Sequence, residues 1–333
     1  MSTHQRPRSN DNGAGPNAQD DERSPLLPSH AGRRKSTSAP SPSFFGFFKS
    51  HALSPLPALD SADSLPLAYL PPLLLQCLIT GLADASTYTL TKIWVGFQTG
   101  NLVQIIINTF DFLLPSDSNT DGSADAVRDK LQESVSSLLG FAIGCQITGN
   151  IIHRLSTDRT RRLTIVCMSV YRCVTTLLII LLGTRYPAVR LSGALDWVVI
   201  MVLASNLGCQ ATYSTSLGTP FSNTVVFTQT LTSVTSDLHL PTLHLTGSNQ
   251  YKLLSMFGLL GGAAVSQVIL KVATKLTKSD RHIAVQRSLI VLSGMELLLG
   301  LMWLLCGITS NWKRYQRRSS EVLPDEDDGE EHD

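Results

Sequence analysis

Three ionisable residues lie deep inside long apolar runs of this 333-residue chain. Asp84 follows "ITGLA", Arg172 sits near the middle of "LTIVCMSVYRCVTTLLIILLG", and Glu296 sits near the middle of "LIVLSGMELLLGLMWLL". A charge in hydrocarbon neutralises, finds a partner, or lines a polar path. Arg172 is therefore expected to pair with Asp84 or Glu296, and the sequence does not choose between them. Such a pair has two readings: a fixed brace that holds a bundle together, or part of a functional pathway. Lys92 and Asp196 stand near the ends of apolar runs and read as interfacial.

A second set is uncharged. In "KIWVGFQTGNLVQIIINTF", Gln98, Thr99, Gly100 and Asn101 interrupt Trp, Val, Phe and Ile. Amides and hydroxyls are costly in lipid unless they find partners. Gly100 permits a break in a helix or a close backbone approach. A break frees N–H and C=O groups, which either bind a ligand or are satisfied by the neighbouring Thr and Asn. Further amides fall in apolar runs: Gln104, Gln146, Asn150, Asn206, Gln210 and Gln267. One or two would be interhelical glue; this many suggests a polar interior or a water-filled cavity.

These residues need elements to position them. The chain is 43% hydrophobic and 16% charged, with a formal net charge of +1, so overall charge gives no sign of nucleic-acid binding. Residues 1–62 and 311–333 are polar, and the apolar residues concentrate between them. That middle holds repeated runs of about 20 apolar residues, the length of a bilayer-spanning helix. They fall near 67–90, 93–114, 132–153, 163–183, 194–215, 219–237, 252–274 and 288–309. Six read as ordinary spans. The runs 93–114 and 219–237 are too rich in amides and hydroxyls, and read as re-entrant or broken.

Charge placement favours that reading. Basic residues mark the cytosolic side, and the linker after the third run carries Arg154, Arg159, Arg161 and Arg162. With a cytosolic N-terminal tail, this linker is cytosolic only if 93–114 fails to cross. Six crossings then place both tails in the cytosol. The basic linker with Lys275, Lys278, Arg281 and Arg287 stays on the other side in either count.

The two odd runs resemble each other. "GLADAST" leads to "GFQTGNLV", and "LGCQATY" leads to "VFTQTL", so Thr99 aligns with Thr228 and Asn101 with Thr230. Each is followed by a run with a Gly-x-x-x-Gly pair, Gly140 and Gly144 in the first, Gly258 and Gly262 in the second. Such pairs allow close backbone packing of helices in lipid. The expected organisation is a disordered cytosolic tail (1–62), a helical membrane domain (63–310) with repeats at 66–184 and 194–309, and an acidic disordered tail (311–333). The fold class is all-α and polytopic, with six transmembrane helices plus two re-entrant or broken segments.

These motifs resemble the YoaK-like membrane proteins, the family with domain of unknown function 1275. "GLADAST…GFQTGNLV" is similar to its Gly-x-x-Asp-Ala and Thr-Gly-Asn motifs. "LGCQATY…VFTQTL" is similar to the second-half counterpart, with Ala211 where Asn is usual and Gln229 where Gly is usual. The resemblance spans about residues 66–309. It implies a six-span membrane protein and carries no activity.

The tail motifs concern address more than chemistry. Glu22, Leu26 and Leu27 in "ERSPLL" fit an acidic dileucine signal read by sorting adaptors. That points to a vacuolar or other endomembrane location, with the plasma membrane as the alternative. "SFFGFFKS" (43–50) is too short to span and reads as an interfacial segment. No catalytic, metal-binding or cofactor motif stands out, and the six cysteines match neither a disulfide framework nor a zinc site. The sequence thus predicts a transporter or channel for a small polar solute or ion, and no enzyme. Thr99, Asn101, Gln210 and Thr228 would line the path. Asp84 and Glu296 would couple protons or cations, and Gln98, Gly100 and Arg172 complete the candidate set. The alternative is a non-transporting membrane scaffold or sorting protein.

Overall fold

The computed structural model describes residues 44–54, 56, 66–114, 123–155, 161–191, 193–219, 221, 227–237, 247–277, 281–308 and 311–312. The dileucine residues Glu22, Leu26 and Leu27, and most of both expected tails, lie outside them. Among the described residues nine α-helices follow in order: α1 (Phe44–Ala52), α2 (Leu70–Thr91), α3 (Gln98–Leu113), α4 (Ser123–Leu155), α5 (Arg161–Arg185), α6 (Asp196–Ser216), α7 (Phe227–Thr235), α8 (Gly247–Thr277) and α9 (Arg281–Leu305). Five stretches are long and apolar enough to cross a membrane: Leu67–Thr91, Asp125–Arg154, Arg162–Arg185, Ser248–Lys275 and His282–Leu305. The helix α6 is not among them. Asn206, Gln210 and the hydroxyls of "ATYSTS" dilute its apolar content, yet Val199, Ile200, Leu203 and Leu207 bury it in the core.

Close approaches of glycine set the direction of the helices. A methyl at Gly81 of α2 would come within 2.0 Å of Leu259 O on α8, and one at Gly262 of α8 within 2.0 Å of Leu78 O. Gly258 faces Cys77 one turn earlier. Farther along, Ser86 meets Ser266 and Thr89 meets Gln267, so residue numbers rise together from Cys77 and Gly258 onward and α2 and α8 run parallel. The helices α4 and α6 meet in the same way: Gly140 against Met201 O, Gly144 against Ser205 O, and Gly208 against Phe141 O. These carbonyls approach where only a hydrogen fits, which gives the packing-driven contact available in lipid. Between α5 and α9 the order is reversed, with Arg172 on Glu296 and Ser169 beside Gly300, so that pair is antiparallel.

Between α2 and α4 the chain makes a return journey. Pro71 and Pro72 start α2, where the missing N–H groups cost nothing. Lys92 ends it in the left-handed region, φ 61°, with its N–H on Tyr88 O. The chain then turns back along α4. Lys130 Nζ donates to Thr91 O (2.6 Å), and Ser137 Oγ to Trp94 O (2.7 Å). Seven residues of α4 span about 10 Å, so Trp94 lies about that much deeper than Thr91. The helix α3 starts at this depth and climbs out. Gln104 Nε2 reaches Lys92 O (3.2 Å), back at the level where the descent began. Its outer face (Leu102, Val103, Ile106, Ile107, Phe110) is exposed.

The ends of the described chain dock together. Phe47 of α1 packs edge-on against Trp312 (4.5 Å), and Asn311 Nδ2 donates to Ser54 Oγ (3.0 Å). The expected interfacial segment is therefore partly buried: Phe47 and His51 face protein, while Phe45 faces outward.

Candidate functional site

The break between α2 and α3 is held by side chains from three helices. Asp84 of α2 accepts the Val95 N–H (3.0 Å) and the Gly96 N–H (2.6 Å), both on Oδ1. Unpaired N–H groups are what a helix entry leaves over, and a carboxylate from a neighbouring helix satisfies two of them here. Gly96 is required by contact: a methyl there would come within 2.8 Å of Asp84 Oδ2.

Asn101, fully buried, reaches back over the same loop. Its Oδ1 accepts the Trp94 N–H (3.2 Å), and its Nδ2 lies 2.5 Å from Trp94 O, 3.0 Å from Ser137 Oγ and 3.1 Å from Gln98 Oε1. Gln98 Nε2 donates to Val95 O (2.8 Å) and approaches Ser137 Oγ (3.2 Å). Gly100 lets the Phe97 ring lie close, 2.8 Å from where a Cβ would stand. Thr99 points outward. Thus Gln98, Gly100 and Asn101 keep the chain broken at this depth, and Thr99 is the exposed member of the motif.

Beside this loop, between α2 and α8, lies a cavity of about 430 Å³. Asp84 and Gly96 form one side of it, Leu259 and Ala263 of α8 the other, and Tyr88, Trp94 and Phe97 also line it. Tyr88 and Trp94 stack at 4.1 Å, with Phe97 edge-on to Trp94 at 6.1 Å. Gln267 Nε2 donates to Thr89 Oγ1 (3.1 Å) on the rim.

The remaining candidates sit in two other buried clusters. Arg172 pairs with Glu296 (3.0 Å) and not with Asp84. Thr176 Oγ1 donates to Glu296 Oε2 (3.3 Å), and Asn206 Nδ2 to Thr176 Oγ1 (3.2 Å). Among the described residues, Arg172 Nε and Nη1 have no hydrogen-bond partner. Gln210 Nε2 donates to Gln76 O (2.9 Å) and Thr80 Oγ1 (2.8 Å), and Gln76 Nε2 to Ser214 Oγ. Asp84 and Asn101 thus meet at one loop, whereas Gln210, Arg172 and Glu296 serve the contacts of α6, α5 and α9. Thr228 lies in α7, and its side chain is outside the described residues.

Sequence reasoning did not single out Ser137, Trp94, Gln76 or the Ser86–Ser266–Ser288 junction, whose hydroxyls lie 2.6–2.8 Å apart. A serine in an apolar helix commonly bonds its own helix, as Ser134 does to Lys130 O. Ser137 looks the same in "ESVSSLLG", so only its position three residues before Gly140 hinted at a helix-facing role.

Apolar helices with buried polar groups and an outward apolar surface define the class: a multi-pass α-helical membrane protein. The chain belongs to the family described as Protein of unknown function (DUF1275), which it matches over residues 73–306. No curated protein matches it, and no solved structure does.

Proposed function

We propose that this protein is a transporter or channel for a small polar solute or ion. The carrying observation is the cavity of about 430 Å³ at a break in the chain, with a carboxylate on its wall. Broken helices beside cavities are where membrane proteins tolerate irregular backbone, and such breaks commonly form binding sites.

The reading includes six crossings in two inverted repeats, α2 to α5 and α6 to α9. What supports it is the pairing: α2 with α8 and α6 with α4, both parallel and each joined through a Gly-x-x-x-Gly face. Each seam joins one half to the other. Gln104 at the level of Lys92 supports a first odd segment that turns back without crossing. Arg162 then lies on the same side as α1 and Asn311, in keeping with the positive-inside rule if these face the cytosol. The proposal involves no catalysis or cofactor. Partners beyond the bilayer and the solute include an adaptor for residues 22–27, and an endomembrane, vacuolar by preference, is the proposed location.

The test is flux in reconstituted liposomes. Asp84→Asn and Asn101→Ala are expected to abolish uptake of a carried solute while the protein stays monodisperse. Wild-type uptake in both variants would overturn the reading. The scaffold alternative is favoured by one observation: the amides of Gln98 and Asn101 are occupied by the loop and Ser137. It predicts no flux of any solute and partners that engage the N-terminal tail.

A further inference from the structure

We infer that the cavity beside the break binds an organic ammonium ion, with Asp84 as its counter-charge. This rests on the transport reading for its purpose, and on the lining of the cavity for its chemistry.

Consider what the walls offer. Asp84 is the one charged residue among those that line the cavity, and Lys, Arg and His are absent from that set. Lys92 is nearby, but its ammonium lies 5.2 Å over the Tyr88 ring, outside the lining. The Val95 and Gly96 N–H bonds fall on Asp84 Oδ1, the Phe97 backbone also interacts with the carboxylate, and Oδ2 borders Gly96, which also faces the cavity. Gln267 directs its amide nitrogen to Thr89, which leaves its carbonyl oxygen as a second acceptor. A ligand that fits must bring the donors and the positive charge.

The rest of the wall fixes the ligand's body. Tyr88, Trp94 and Phe97 present aromatic surface, which attracts a cation and accepts apolar groups equally well. Leu259 and Ala263 are apolar. A bare calcium or magnesium ion would need six or more oxygen ligands, and the side chains of this wall supply a carboxylate, an amide and the hydroxyls of Tyr88 and Thr89. A cavity of this volume is in the range of small-molecule sites. An amine with an aliphatic or aromatic body meets all of these demands.

The site belongs to one half only. Gly81 and Gly208 occupy equivalent seams, so Asp84 corresponds to Ala211, which carries no charge. Among the described residues, the second seam thus has no counterpart of the Asp84 carboxylate.

The experiment is equilibrium binding to the full-length protein in detergent, read by tryptophan fluorescence and by thermal shift. Phenethylammonium is the probe, and 2-phenylethanol is its neutral counterpart. Saturable binding of the ammonium, at least about tenfold tighter than the alcohol, is expected from a charge-assisted contact. Asp84→Asn keeps an acceptor for the loop and should remove that preference. Because Asp84 also holds the loop, Ala263→Met is the second variant: it fills the cavity without touching the charge and should block both probes. Equal binding of the two probes, or an ammonium preference that survives Asp84→Asn in a folded protein, would overturn the inference. Ammonium binding without flux would overturn transport and leave this site standing. Flux of an anion or neutral solute without ammonium binding would do the reverse.

Discussion

At the scale of single residues, two buried polar contacts differ in what their loss should do. Arg172 and Glu296 are both shielded from solvent, so removing one leaves the other charge unpaired. Arg172→Met should lower stability by about 3–5 kcal/mol, whereas Arg172→Met with Glu296→Met should restore most of it. Unfolding in micelles, compared across the double-mutant cycle, checks this. His51 poses a different case. Its Nε2 lies 2.8 Å from Leu304 O and 2.6 Å from Arg162 Nη1, and its Nδ1 lies 2.9 Å from Asn311 Nδ2 and 3.1 Å from Arg162 Nη1. A ring beside these donors fits best when it is neutral. Burial, and then the Arg162 guanidinium, hold its pKa below the ordinary value. The undocked ring therefore takes up a proton first. Docking of α1 is fully favoured above about pH 6.5 and weakens as pH falls below it. An environment-sensitive label at Ser50 should report progressive release as pH falls below about 6.5, and His51→Gln should flatten that response.

At the scale of elements, glycines separate into two kinds. Gly140, Gly144 and Gly262 meet carbonyls at 2.0–2.1 Å from an added methyl, while Gly261 and Gly294 meet nothing within 4 Å. Gly144→Ala should therefore destabilise by roughly 1–3 kcal/mol through overpacking. Gly261→Ala should be neutral or stabilise by up to about 1 kcal/mol, because it removes a flexible residue from a helix. Thermal unfolding of the purified variants distinguishes these outcomes. The Gly-x-x-x-Gly spacing is visible in sequence because it recurs on one helix face. The partner of that face is not, since α2 lies more than a hundred residues from α8. The break was legible only in part: four small or polar residues at 98–101 interrupt an apolar run, but they form the first turn of α3, and the break falls just before them, at 92–97. Their role was harder to see. Asn101 meets Trp94 seven residues away and Ser137 thirty-six away, and only the folded loop brings these together. The helix α6 shows the opposite problem. Its amides lower its apolar content, but Asn206 and Gln210 turn inward to Thr176 and Thr80, so the helix remains in the core.

At the scale of the whole molecule, glycine seams join α2 to α8 and α4 to α6, and the break at 92–97 opens beside the first of them. A carboxylate, an aromatic pair and a chamber of about 430 Å³ sit together where α2, α8 and the loop meet. The central claim is that this chamber is reached from water. Thiol accessibility in membranes tests it most directly, using a background in which the six native cysteines are replaced. Single cysteines are placed across 95–105 and 222–232, with further ones at Thr89 and Gln267. A membrane-impermeant thiol reagent should modify positions 89, 99 and 267, and phenethylammonium should slow the reaction at 89 and 267. Cysteines at Ile106 and Ile107, on the exposed apolar face of α3, should resist it. Uniform protection of every position would contradict the account and leave the break as a closed structural joint.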